Sequence, residues 1–459
     1  MLKRYFGDKA FYKRLLTLAI PIMLQNGITN FVNMLDNVMV GRIGTLEMTG
    51  VAVTNQLIFV FNLCIFGAIS GAGIFGAQFF GKGDTKGVRH TFRFKILFCS
   101  ALCLLGILIF LFGGNLLISL YLKGEGTAAD IEASLGFARE YMLIMLIGLL
   151  PYTIAQCFSS TLRETGKAVP PMTAGIIAVF INLVLNYLLI FGKLGFPKLG
   201  VAGAAIATVI SRFAELAMVV LWTIINRKKN EFIIGAFKSI YIPIRLIKDI
   251  TIKGLPLMLN ETLWAAGMAM LSQCYSLRGL SVVAANNICQ TFFNVFAVSF
   301  MSVGVAIGII LGQMLGSGEL LEAKKTAVRA IAFSVLLGFF IAAVYVVAAE
   351  FIPLIYNTND EVRLLATRLM QVSALAMPID AFANAAYFTL RSGGKTAVTF
   401  IFDSGFMWVV AVPVAFILSR FTSLNIILLF AICQGINIIK DIIGYYFVKK
   451  GIWIENLTV

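Results

Sequence analysis

About twelve uninterrupted apolar runs, each roughly 20 to 25 residues long, recur along this chain at 15–40, 50–80, 94–118, 136–161, 168–191, 201–225, 254–275, 283–311, 327–349, 364–390, 398–418 and 426–448. A run of that length, wound as a helix rising 1.5 Å per residue, crosses a hydrocarbon layer about 30 Å thick. In lipid every backbone amide must be satisfied within its own helix or in a closed barrel, and barrel strands alternate apolar and polar residues in short stretches. These runs do not alternate. The expected fold is an all-α polytopic membrane protein of twelve transmembrane helices. Of the 459 residues 59% are hydrophobic and 13% are charged, against about 25% charged in soluble domains.

The longest stretch outside the runs, 226–253, has 28 residues, too few for a separate catalytic or nucleic-acid-binding domain. Function is expected among the helices. A net charge of +15 invites a nucleic-acid partner, but 26 of the 37 Lys and Arg residues fall in the alternate set of segments that begins with the N-terminus, and only 9 in the opposite set. Such an excess marks cytoplasmic loops. Both termini are therefore expected in the cytoplasm of a cell inner (cytoplasmic) membrane, with the lipid bilayer and no nucleic acid as partner. The outer segments "KGEGTAADIE" (123–132) and "EFIPLIYNTNDE" (350–361) are acidic. All seven cysteines lie inside apolar runs, where they read as small packing residues rather than a disulfide framework. The first run is too long for a signal-peptide core and is expected to be an uncleaved helix.

The chain also repeats itself. "IPIMLQN" (20–26) recurs as "LPLMLNE" (255–261), and "GIFGAQFFGKGD" (73–84) as "GIILGQMLGSGE" (308–319), both at a shift of 235, while "TLRETGK" (161–167) recurs as "TLRSGGK" (389–395) at a shift of 228. Two six-helix lobes follow, 1–225 and 254–459, joined by a cytoplasmic linker, 226–253. Six is even, so both lobes enter from the same side and form a parallel repeat. Secondary transporters are commonly built this way, with sites within or between lobes that rock against one another. Duplication also occurs in channels. The chain is expected to act as a monomer.

A carboxylate near mid-bilayer costs about 2.5 to 3.5 kcal/mol to insert, so each one should face protein or water. The candidates are Asp36, Glu215, Glu261, Asp380, Asp403 and Asp441. Glu215 stands one turn from Arg212, where an ion pair would account for both. Asp403 and Asp441 stand near the inner ends of their helices, within reach of headgroups or basic loop residues. Glu261, beside Asn260, and Asp380, next to Pro378, have no such outlet. Asn287, Gln290 and Asn294 form a polar stripe on one face of the eighth run, and with the two acids they suggest a wet, acidic cavity in the second lobe. The first lobe offers Asp36 with Asn33 and Asn37, Gln56, and the pair Asn182 and Asn186 one turn apart. Asp36 is near a helix end, so solvation by headgroups competes with a site. At the shift of 235 it aligns with Leu271, and Glu261 with Asn26, so each lobe places its acids differently.

A carboxylate in such a cavity can carry a proton inward or, with amide oxygens around it, hold Na⁺. A cationic substrate would compete with that ion for one negative charge, which suffices for exchange. The lone histidine, His90, falls in a cytoplasmic loop, so no His-based metal site or Ser-His-Asp set is expected, and no phosphate-cradling "GxxxxGK[ST]" loop is present. Neither an enzyme nor an ATP-driven pump is indicated, and no cofactor beyond a coupling ion, H⁺ or Na⁺.

"LDNVMVGRIG" (35–44), "GAQFFGKGD" (76–84), "TLRETGK" (161–167), "NLVLNYLLIFGKLGFPKLGVAGAAIAT" (182–208) and "TLRSGGK" (389–395) together resemble the multidrug and toxic compound extrusion (MATE) family over nearly the whole chain. The resemblance implies a V-shaped pair of six-helix lobes exporting organic, cationic compounds in exchange for Na⁺ or H⁺. It implies ion coupling at Asp36, with Asn182, Asn186 and Thr208 as companions, although some members carry an aspartate where this chain has Asn186. Glu261 and Asp380 resemble the acids of the branch with a second-lobe cation site. Gln56, Asn260, Asn287, Gln290 and Asn294 are the candidate substrate-cavity residues. A flippase of the same superfamily, moving lipid-linked oligosaccharides, is the alternative; a cationic cavity for pyrophosphate would favour it. A receptor or scaffold would leave the duplicated acidic lobes unexplained.

Overall fold

Apolar residues in runs this long have only the α-helix as a way to satisfy their amides in lipid, and the structure, a computed structural model describing residues 5–122, 128–356 and 358–458, is helical with no strand among the described residues. The side chains at 34, 37, 38, 122 and 128 are outside that description, so the grouping of Asn37 with Asp36 and the first half of the 123–132 segment, 123–127, lie beyond the described residues. Twelve long helices run in order: α1 (Lys9–Gly41), α2 (Thr45–Lys82), α3 (Thr85–Leu122), α4 (Ala128–Glu164), α5 (Val169–Phe191), α6 (Gly200–Ile225), α7 (Ile244–Ser276), α8 (Leu280–Gly316), α9 (Leu320–Phe351), α10 (Asp360–Ser392), α11 (Thr396–Phe421) and α12 (Ile426–Lys450). Each apolar run falls on one of them. Among the described residues, eleven are long and apolar enough to cross a membrane. The exception is α7, whose apolar run is broken by Asn260 and Glu261.

Several helices extend past the runs that revealed them, because hydrogen bonding along a helix continues where lipid burial stops. α2 has 38 residues, about 57 Å of helix at 1.5 Å per residue. α7 starts at Ile244, ten residues before the expected 254, and α3 starts at Thr85, so His90 is helical rather than in a loop. The stretch between the two helices α6 and α7 is 226–243, and it is docked. Arg93 on α3 donates from all three guanidinium nitrogens to linker carbonyls, at 2.6 Å to Ala236, 3.0 Å to Tyr241 and 2.8 Å to Gly235. Phe92 packs edge-on against linker Phe232, ring centroids 5.2 Å apart.

The chain forms two compact units, one of Met1–Met23, Ala77–Gly83 and Ile252–Val459, the other of Leu24–Gly76 and Asp84–Thr251. The first half of α1 and the last turns of α2 thus belong with the second repeat. In the first of these units α2 and α8 cross at repeat-equivalent glycines. A Cβ on Gly81 would stand 1.8 Å from the Gln313 carbonyl oxygen, and one on Gly316 would stand 1.8 Å from that of Gln78. Only glycine lets the two backbones approach so closely. The same unit buries Phe300, Tyr345, Leu369 and Phe430 in one core, with the Tyr345 hydroxyl donating to the Cys289 carbonyl at 3.1 Å. Outward faces are greasy. On α3, Phe112 is 87% and Leu116 64% exposed, an apolar surface suited to lipid.

Candidate functional site

α5 opens on Pro170 and Pro171, whose fixed φ suits a first helical turn, and ends at Gly192 with φ +65, whose amide caps the Leu188 carbonyl. Between these stops Asn182 and Asn186, one turn apart, are both buried. They gather around Asp36 of α1. Asn186 Nδ2 donates to Asp36 Oδ1 at 2.7 Å and to Asn182 Oδ1 at 3.2 Å, and Asn182 Nδ2 donates to Thr208 Oγ1 of α6 at 3.1 Å. Turned the other way, the Asn182 amide nitrogen reaches Asp36 Oδ2 at 2.9 Å while its oxygen accepts from the Thr208 hydroxyl. In either orientation three helices converge on one carboxylate. Asp36 is half-buried, held by protein rather than headgroups alone. Gln56, placed with this set from sequence, is exposed on α2 and makes no hydrogen bond among the described residues. Nearby in this unit Tyr141 donates to Asn55 Oδ1 at 3.2 Å.

A second polar centre lies in the other unit. Asn260 of α7 is 1% exposed and ties α7 to α11: its Nδ2 donates to Asp403 Oδ2 at 2.9 Å, while its backbone carbonyl and Oδ1 each accept from the Ser404 hydroxyl at 2.8 Å. Glu261 accepts from the Tyr387 hydroxyl of α10 at 3.3 Å. Asp403 pairs with Lys440 of α12 at 2.5 Å, with side chains 14% and 16% exposed. α11 is π-wound over Ile401–Gly405 and again over Met407–Ala411, a winding that recurs at functional sites. Asp380 follows Pro378, which leaves a carbonyl one turn back in α10 without its donor. Asp380 takes no hydrogen bond among the described residues.

These contacts correct two readings of the sequence. Asp403 meets Lys440 inside the helix bundle, not a headgroup or loop cation, and Asp441 has a buried Oδ1 with no hydrogen-bond partner among the described residues. Glu215 and Arg212 form no ion pair within 4.0 Å; Arg212 turns instead over the Tyr152 ring, 5.1 Å from its centroid. The α8 stripe of Asn287, Gln290 and Asn294 is not joined to Glu261 or Asp380 by any hydrogen bond among the described residues, and Asn287 and Asn294 are exposed.

Sequence reasoning also missed a buried ion pair. Lys95 of α3 is wholly enclosed and its Nζ lies 2.6 Å from both oxygens of Glu164, with Thr161 Oγ1 at 3.2 Å and Ser160 Oγ at 3.3 Å. Gly73 and Gly76 of α2 make the room, since a Cβ at either would stand 2.7 Å or 2.3 Å from a Glu164 oxygen. The glycine spacing of three was the available signal. None of the seven cysteines is in a disulfide, and no three His, Cys, Asp or Glu side chains among the described residues converge as a metal-binding group.

A duplicated array of membrane-length helices with carboxylates and amides gathered inside each unit has the build of a multi-pass membrane transporter, and the family and the relatives it matches make it a transporter, not an enzyme. The chain belongs to the MatE family, whose profile matches residues 21–188 and again 256–417, two stretches starting 235 residues apart as the internal repeat does. Among curated relatives it is 27% identical over 425 residues to the probable multidrug resistance protein NorM of Thermotoga maritima, covering 90% of this chain and 87% of the relative. It is 28% identical over 409 residues to the multidrug resistance protein MdtK of Proteus mirabilis, covering 89% and 88%. Two solved structures, MATE in complex with MaL6 and a variant of the Vibrio cholerae MATE transporter VcmN, share its fold with TM-scores of 0.85 each at 18% identity. The first covers 98% of this chain and 97% of the other, the second 98% of both.

Proposed function

We propose that this chain is a multidrug exporter, a cation-coupled antiporter that moves organic, cationic compounds out of the cell in exchange for H⁺ or Na⁺ by alternating access. The observation that carries the reading is Asp36, a carboxylate held inside a membrane-length array by the amides of Asn186 and Asn182, with Thr208 behind them. A single carboxylate among amide and hydroxyl oxygens takes either a proton or a small hard cation. While it holds one it cannot balance the charge of a cationic substrate, so ion and substrate exclude each other and one gradient drives the other. Glu261 and Asp380 offer the same chemistry in the second unit. The names of the NorM and MdtK relatives support the substrate class. The excess of Lys and Arg in alternate loops supports a cytoplasmic-membrane protein with both termini inside, and one chain supplies both polar centres, so a monomer is complete.

The test is reconstitution in liposomes loaded with a cationic dye, imposing a pH gradient and a Na⁺ gradient separately. Dye movement driven by one of them is the expected result. If neither moves dye, the antiporter reading is wrong.

A further inference from the structure

The motif "GAQFFGKGD" at the end of α2 and the repeat-equivalent "GQMLGSGE" at the end of α8 have no part in either polar centre, yet both make specific contacts. Gln78 is fully enclosed, and its side chain serves three backbone groups: Nε2 donates to the carbonyls of Ser392 at 3.0 Å and Glu455 at 3.2 Å, while Oε1 accepts from the Leu457 amide at 2.7 Å. Two of those three belong to the segment after α12. Lys82, one turn on, donates to the Thr458 carbonyl. Gln313, the repeat mate of Gln78, spends its side-chain oxygen on Arg14 instead, at 3.0 Å.

The segment has a built seat. Trp453 is wholly buried. Its carbonyl lies so close to Gly393, in "TLRSGGK", that a Cβ there would stand 1.5 Å away, and one on Gly394 would meet Leu457 at 2.8 Å. The first repeat carries Thr165 where the second has Gly393, so this seat exists in one half only. Glu455 fastens it by charge, 2.5 Å from Lys395 and 3.6 Å from Lys253. A short tail thus joins the end of α2 to Lys253 in the first part of α7 and to the turn after α10.

We propose that Gln78 is a positioning residue for transport: it holds the C-terminal segment Trp453–Thr458 as a latch that keeps the end of α2 against α8 and must let go each time this end opens. The proposal rests on the alternating-access reading above. Backbone hydrogen bonds and half-exposed ion pairs are each weak enough to break in a cycle. Glycines at the α2–α8 crossing let the surfaces part and close without a side chain to repack.

The experiment places cysteines at Gln78→Cys and Leu457→Cys, with the half-buried Cys64 replaced by serine; the other six native cysteines are buried. Expected are a disulfide under mild oxidation, dye export abolished in the oxidised protein, and export recovered on reduction to the level of the never-oxidised double-cysteine variant, itself below wild type because the Gln78 amide is gone. Export at equal rates in both forms overturns the latch, as does failure of the disulfide to form. If the reduced variant and the wild type both export nothing under either gradient, the export reading has failed instead, and hydrogen exchange at the Leu457 amide still decides the latch. Glu455→Gln is expected to speed that exchange by roughly tenfold through easier local opening; an unchanged rate removes the latch. Because Glu455→Gln preserves shape, it also covers misfolding of the double-cysteine protein.

Discussion

Asp36 illustrates what a single residue discloses. Its charge marks it in the sequence, its partners Asn182, Asn186 and Thr208 appear only when α1, α5 and α6 come together. Asp36→Asn keeps an oxygen that accepts from Asn186 but loses the charge. Gradient-driven export is expected to fall to background while the thermal melt of the purified protein stays near wild type; unchanged coupled export would remove Asp36 from the mechanism. The buried pair of Lys95 and Glu164 makes the opposite prediction. Lys95→Met leaves a carboxylate uncompensated in the interior, a loss of about 3 to 5 kcal/mol, and most of it should return in the Lys95→Met/Glu164→Gln double variant. A melting series of the four proteins measures this. If the single variant melts like the wild type, the pair does not stabilise the fold.

At the scale of elements, the α2–α8 crossing reverses a general expectation. Gly→Ala inside a helix ordinarily stabilises by up to about 1 kcal/mol. At Gly136 of α4, where nothing stands within 4 Å of the added methyl, that outcome is expected. At Gly81 or Gly316 the methyl would collide with a backbone carbonyl at 1.8 Å, and a loss of about 1 to 3 kcal/mol or more is expected from overpacking. Comparing the three alanine variants by thermal unfolding separates the cases; equal shifts would mean the helices do not cross there. The linker is a second case. Its composition marks it as a tether, whereas the structure shows it fastened to α3 through Arg93. Length and polarity report that a segment leaves the membrane, not what receives it.

Across the whole molecule, the tail beyond α12 ties together distant parts of the chain. Glu455 is partly desolvated, which alone would raise its pKa, but the hydrogen bond and charge of Lys395 and the charge of Lys253 outweigh this and hold the carboxyl below the usual glutamate range. A depressed carboxyl contributes stability that is complete above its unfolded pKa and disappears as pH falls through the folded one. Wild type should therefore melt above Glu455→Gln at neutral pH, and the two curves should merge in acid once the carboxyl protonates. A constant gap down to that range would show that the charge of Glu455 contributes nothing. The gap itself should be small, since the ion pairs are solvent-screened.

What the sequence determined by itself was whatever depends on neighbours along the chain. Apolar length specifies twelve helices, because lipid offers the backbone no other partner, and the shift of 235 specifies two related halves. Intramembrane charge singles out Asp36, Glu261 and Asp380 because burial of a carboxylate is costly wherever it occurs. Pairing was decided only by tertiary structure. Lys440 and Asp403 stand 37 residues apart, Lys95 and Glu164 stand 69 apart, and Gln78 reaches the tail 379 residues away. No periodicity records such contacts, since they arise from which helix faces meet, and that is set by the packing of the whole array. The expected Arg212–Glu215 pair failed for the same reason. Spacing along a helix put the two side chains on one face, but the guanidinium lies over the ring of Tyr152 on α4 instead.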